Sequence, residues 1–113
     1  MDQGMVDAAM GIIMNAGDAR LEIANCFEAI TEGDFRRCDP LLAEAKRLLA
    51  KAHGLQTDII QDEVDGVLHQ HPLLFIHAQD TLMSVNSEMN ICRQMLEICK
   101  NYETRLAALE KRG

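Results

Sequence analysis

No cluster of cations occurs in this chain. Arg36-Arg37, Lys46-Arg47 and Lys111-Arg112 are its only adjacent basic residues, and 11 Lys plus Arg stand against 18 Asp plus Glu, a formal net charge of −7. Nucleic acid and anionic membrane surfaces are therefore excluded as partners, since both are held by a basic face. No long apolar run occurs either: the stretch Ala8 to Met14, interrupted by Gly11, is about a third of the ~20 residues a helix needs to cross a bilayer. The start Met1-Asp2-Gln3 carries a negative charge where a secretory signal carries positive ones, so a cytoplasmic location is expected. CxxC spacing is missing from the four cysteines Cys26, Cys38, Cys92 and Cys99, which argues against structural zinc or disulfides and for small buried hydrophobes in a reducing compartment. A phosphate-cradling glycine loop, a GxSxG elbow and an HExxH helix are lacking too, and with them most enzyme templates.

What is present is a chain of 113 residues that is 48% hydrophobic, enough to bury a core without staples and too short for two domains. A single domain over residues 1–113 is expected. Its apolar residues recur in steps of three and four, the period of a helix with one buried face. The first series is Val6, Ala9, Ile13, Ala16, Ile23, Phe27 and Ile30, with Arg20 in one slot. Gly33 then offers a left-handed cap, and Asp34 a side chain for the next helix's free N–H groups. The second series is Phe35, Cys38, Leu42, Ala45, Leu49, Ala52, Gln56 and Ile59, ending before Asp65-Gly66. Pro40 strains it, which points to Asp39 as N-cap with Pro40 as the first helical residue. The third series, Phe75, Ala78, Leu82, Val85, Met89, Cys92, Leu96, Cys99 and Leu106, opens at Pro72 with His71 as the cap.

These patterns predict helices over about residues 4–32, 34–65 and 72–110, joined by short links that make neighbours antiparallel. The expected fold is all-α, an up-down-up three-helix bundle. Helix three carries more apolar residues than one face needs: besides its main seam it has the row Ile76, Asp80, Met83, Ser87 and the set Ile91, Met95, Ile98, Tyr102. Either the core stripe is wide or these faces meet other chains in a homo-oligomer.

Four histidines remain as candidates for chemistry. His77 stands out because it lies on helix three in the run Phe75-Ile76-His77-Ala78-Gln79-Asp80, among bulky apolar residues. It is a structural hydrogen-bonding residue or a nucleophile. Asp80 interrupts an apolar row, where a desolvated carboxylate needs a partner: either it lies at the bundle surface, solvated or paired with Arg20 or another cation, or three copies on a three-fold axis share a hard cation or a proton. His69 and His71 sit in the polar link beside Pro72 and read as solvated loop residues. His53, beside Gly54, reads as a hydrogen-bonding residue of helix two. The methionines and Cys92 and Cys99 fit packing positions.

The run Phe75-Ile76-His77-Ala78-Gln79-Asp80-Thr81-Leu82-Met83 resembles the signature helix of the lactose/cellobiose (diacetylchitobiose) IIA component of the bacterial phosphoenolpyruvate-dependent sugar phosphotransferase system. Gly11 to Arg20 and Ala52 to Gln61 carry the resemblance further, so it spans about Met5 to Tyr102. It implies a nine-helix homotrimer in which His77, through its Nε2 (tele) nitrogen, accepts a phosphoryl group from the phosphocarrier HPr. His77 then passes the group to a cysteine of the cognate IIB protein, which works with the membrane-embedded IIC, for uptake of a β-linked disaccharide.

The resemblance further implies that Asp80 meets its symmetry mates and binds one divalent ion per trimer, Mg2+ or another. A neutral imidazole is nucleophilic at cytosolic pH and gives a labile N–P bond, which suits the role assigned to His77. One departure stands out: many family members carry a second histidine where this chain has Thr81, giving HAQDHLM in place of HAQDTLM. The alternative function is a non-catalytic helical adaptor or regulatory protein that keeps the fold with His77 inert.

Overall fold

The computed structural model describes residues 3–67, 69 and 72–113, and these form three long helices and no strand. Helix α1 spans Gln3–Thr31, α2 spans Cys38–Val64 and α3 spans Pro72–Arg112, with a single 3-10 turn, Phe35–Arg37, ahead of α2. Together they make a rod 69 Å long and about 20 Å across.

Glycines end the first two helices in the same way. Gly33 has φ 75° and Gly66 φ 86°, the left-handed conformation glycine adopts without a Cβ penalty. After α1, Gly33 N–H donates to Ile30 O and Asp34 N–H to Ala29 O; after α2, Gly66 N–H donates to Glu63 O and Val67 N–H to Asp62 O. This double closure satisfies carbonyls that the helix itself leaves open. It stops both helices and sets the short links between antiparallel neighbours.

Helix α1 is the hub, packing along both α2 and α3, whereas α2 and α3 touch each other far less. Gly11 permits the tightest approach: a methyl group there would come within 2.7 Å of Leu55 Cδ1 on α2. Met5, Ile59 and Phe75 meet around one small cavity at the start of α1, the end of α2 and the start of α3. Arg20 on α1 pairs with Glu88 on α3, 2.6 Å away. Both pairings put α1 and α3 in the same direction with α2 reversed.

The core is built from all three helices and, among the described residues, contains no buried polar or charged side chain. On α3 the expected seam is buried from Phe75 through Leu96, while Cys99 is half-buried and Leu106 is 54% exposed. The last three turns of α3 overhang the bundle, and no described residue covers them.

Three local expectations differ from the structure. On α1 the buried stripe is Met5, Ala9, Ile12, Ala16, Ala19, Ile23, Cys26, Ala29 and Ile30, with Val6, Ile13 and Phe27 at its half-buried margin. A helix packed on two sides buries a stripe wider than one row, and its small residues take the closest contacts. Asp34 makes no side-chain cap; the chain turns through its backbone, with Arg37 N–H donating to Asp34 O. Helix α2 starts at Cys38 with Arg37 as the cap residue, two residues before the expected start at Pro40. Pro40 is its third residue, where a missing N–H still costs no helical hydrogen bond. His71, the expected cap of α3, lies outside the described residues.

Candidate functional site

His77 is the sixth residue of α3, between the buried Phe75 and Ala78, on a side of the helix that faces away from the core. It is exposed, and its imidazole makes no hydrogen bond to a described residue. Its backbone carbonyl accepts a hydrogen bond from Thr81 Oγ1 at 2.9 Å, one turn on. Such back-bonding ties a threonine to its own helix. The Thr81 hydroxyl proton is thereby spent on the backbone and is withheld from the ring.

The other described histidines are placed differently. His69 is largely buried, with 13% of its side chain exposed, and its Nε2 lies 3.1 Å from Asp62 Oδ2. His53 is exposed on α2, where its carbonyl accepts from Thr57 Oγ1 and its ring makes no hydrogen bond to a described residue. His77 is thus the described histidine that combines an open ring with a position on the helix of the signature run.

Asp80, one turn beyond His77, is exposed as well. Arg20, the cation that sequence spacing offered it, is engaged by Glu88 through Nε at 3.0 Å and Nη2 at 2.6 Å, and this pairing raises the Arg20 pKa. Asp80 is therefore the carboxylate of a surface row, flanked by Ile76 at 50% and Met83 at 54% exposure. Among the described residues no three His, Cys, Asp or Glu side chains converge on a point that could hold a metal ion. One chain supplies a single hard oxygen ligand at Asp80, and a divalent cation, which asks for several, fits only where copies of Asp80 gather.

The apolar exposure is one-sided. Met10, Met14 and Leu21 on α1, and Ile91, Met95, Ile98 and Tyr102 on α3 with Ile76 and Met83, are all at least 40% exposed. On α2 only Ile60 and Val64, near its end, are exposed large apolar residues. The extra rows on α3 are thus uncovered by the chain itself. The α1 residues Met10, Met14 and Leu21 were not singled out in the sequence, although their spacing of four and seven was the available signal.

The cysteines line no site. Cys26, Cys38 and Cys92, one from each helix, are buried, and none forms a disulfide. Desolvation pushes the Cys26 and Cys38 thiols up to about 11 and raises Cys92, which leaves them protonated and unreactive at neutral pH.

A family profile described as "PTS system, Lactose/Cellobiose specific IIA subunit" matches residues 7–100. The lichenan-specific phosphotransferase enzyme IIA component of Bacillus subtilis is 31% identical over 98 residues, covering 87% of this chain and 89% of that protein. The oligo-beta-mannoside-specific EIIA component of the same organism is 35% identical over 89 residues, 79% of this chain and 81% of its own length. Among solved structures, PtcA from S. mutans superposes with a TM-score of 0.84 at 33% identity, covering 88% of this chain and 98% of that one. No helix is long and apolar enough to cross a membrane among the described residues.

Proposed function

Since this chain belongs to the lactose/cellobiose-specific IIA family of the sugar phosphotransferase system, we propose that His77 is its phosphoryl-carrying residue. The observation that carries the assignment is the open imidazole of His77 on the solvent side of α3, inside the matched residues. Its Nε2 attacks the phosphorus of phospho-HPr, forming one N–P bond as the carrier's own N–P bond breaks. In the next step the thiolate of a IIB cysteine attacks the same phosphorus, an S–P bond forms, and His77 is returned neutral. Such a loose, in-line displacement asks for positioning and charge stabilisation more than for covalent assistance. His77 supplies the position, and its exposure lets two different proteins reach it in turn.

The working assembly in this reading is a cytoplasmic homotrimer of nine helices, for which the uncovered apolar rows of α1 and α3 are the support. With the α3 helices around a three-fold axis, the copies of Asp80 come together and would hold Mg2+ or a similar hard cation. The ion would neutralise three clustered carboxylates and tie the protomers together. Asp80→Leu is expected to remove the metal from purified protein while leaving the trimer assembled, because the apolar row through Ile76 and Met83 is then continuous. Metal content unchanged by this substitution would reject the axial site.

The sugar behind the system is a β-linked disaccharide or oligosaccharide, by analogy with the relatives' specificities. A IIA component meets phosphocarrier proteins and not the sugar. The test of the function is transfer. With phosphoenolpyruvate, Enzyme I and HPr, the wild-type chain is expected to pass labelled phosphate to the cysteine of its IIB protein, and His77→Gln to pass none. Transfer that survives His77→Gln assigns the carrier role elsewhere. A wild-type chain that never becomes phosphorylated favours the adaptor, for which Thr81 in place of the second histidine is the motive.

A further inference from the structure

A groove of about 250 Å³ with a polar rim runs between α2 and α3, well up the bundle from His77. Lys46 and His53 line it from α2, and Asn86, Asn90 and Arg93 from α3, over a floor that includes Leu49 and Met89. No carboxylate lines it, in a chain whose net charge is −7. Lys46 and Arg93 form no ion pair with a described residue, whereas Arg20, Arg37 and Arg47 each hold a carboxylate. The groove therefore presents two unpaired cations and two amides around an apolar floor. Its complement is an apolar side chain flanked by a carboxylate.

Such a feature occurs on the opposite flank of the same chain. Leu21 of α1 is 60% exposed, and Asp18, three residues earlier and so on the same helical face, is exposed with no ion-pair partner among the described residues. The two features stand at the same height along the rod. Arg20 is level with Glu88, and Asn15 is level with Lys51, which lines a shared groove with it. Residues 18–21 of α1 therefore lie within about a turn of the stretch 46–53 on α2 and 86–93 on α3. A ring of protomers related by a rotation parallel to the rod leaves heights unchanged, and a head-to-tail interface joins one flank of a protomer to the other flank of its neighbour.

We propose that the α2/α3 groove is the socket of the inter-subunit contact and that it receives Leu21 and Asp18 of a second copy of this chain, with Asp18 paired to Arg93 or Lys46. Leu21 sits over Leu49 and Met89, and the amides of Asn86 and Asn90 close the polar rim. The proposal rests on the trimer reading and goes beyond it, naming the surfaces that meet and the charges that set their register. Complementary charges of this kind fix which flanks pair and suppress other pairings.

The test is the mass of the full chain in solution across a dilution series, for wild type, Arg93→Glu, Asp18→Arg and the double variant. Both positions of change, Asp18 and Arg93, are on exposed helix surface, and circular dichroism checks that the chains are folded. Each single variant is expected to raise the concentration at which the trimer dissociates by about tenfold or more, and the double variant to restore most of it. A trimer whose dissociation is unchanged in both single variants overturns the socket and leaves the trimer standing. A wild-type chain that is monomeric at every concentration overturns both. An unaltered trimer in which Arg93→Glu instead abolishes binding of inorganic phosphate assigns the groove to a small anion, and this also overturns the proposal. Independently, Leu21→Cys combined with Ala50→Cys is expected to give chains cross-linked between protomers under mild oxidation, and none if the socket lies elsewhere.

Discussion

The outward face of α2 and the outward faces of α1 and α3 are made under the same helical geometry, yet they carry opposite chemistry. Away from the α2/α3 groove, the exposed positions along most of α2 are polar or small, including Arg47, Lys51 and Asp58. On α1 and α3 the exposed positions include Met10, Met14, Leu21, Ile91, Met95 and Ile98. Covering such a set together would stabilise an assembly, each side chain contributing at most about 1.5–3 kcal/mol. In the proposed assembly the contrast separates a face left to solvent from faces covered by another copy of the chain.

The largest expected effect comes from placing a charge on one face and comparing it with the other. Ile91→Glu on α3 buries an unpaired carboxylate in any assembly and costs on the order of several kcal/mol per chain, so the trimer is expected to be lost. Ile60→Glu on α2 is expected to leave the solution mass unchanged. Equal behaviour of the two variants in sedimentation would erase the distinction between the faces.

Adjacent residues of α3 give the next effect. Leu82 is fully buried in the chain's own core, while Met83 is 54% exposed. Leu82→Ala is expected to cost about 2–5 kcal/mol in urea unfolding, and Met83→Ala little in the isolated chain but a measurable weakening of assembly. If Met83→Ala destabilises the monomer as much as Leu82→Ala, the exposed row is not what it is described to be.

A smaller effect sharpens the picture of the core. Burial moves the Cys26 and Cys38 thiols from an ordinary 9.0 up to about 11, so they stay protonated in the folded chain where unfolded thiols have ionised. The unfolded state binds fewer protons in that window, and stability is expected to fall as pH rises from about 9 to about 11, with no such slope below it. Thermal melts across that range should show a shallower fall for Cys38→Ala than for wild type. The smallest effect is at the surface: Arg20→Ala removes an exposed bidentate pair with Glu88 and is expected to cost about 0.2–1 kcal/mol, less at high salt.

Much of the fold was legible in the sequence because helical period, glycine stops and short links are local signals. The seam of α3 reads cleanly from Phe75 through Leu96, since that helix buries one narrow stripe, and fails at Leu106 where the helix outruns its neighbours. The stripe of α1 was read one margin off, because α1 packs on two sides and its alanines and Cys26 carry the close contacts that a count of large residues overlooks. The start of α2 was misplaced because proline is tolerated throughout the first turn, so Pro40 alone cannot say which of its positions it fills. His77 and Asp80 were legible as oddities on an apolar helix, though the roles proposed for them came from the resemblance of the signature run. The α2/α3 groove was not legible at all, since Lys46, His53 and Arg93 are ordinary surface residues until two helices bring them together.

The central claim is that His77 carries a phosphoryl group, and the most direct measurement is the intact mass of the purified chain after incubation with phosphoenolpyruvate, Enzyme I and HPr. The wild-type chain is expected to gain a single acid-labile adduct of about 80 Da, and His77→Gln to gain none. An adduct of the same mass on His77→Gln, or none on the wild-type chain, would contradict the account.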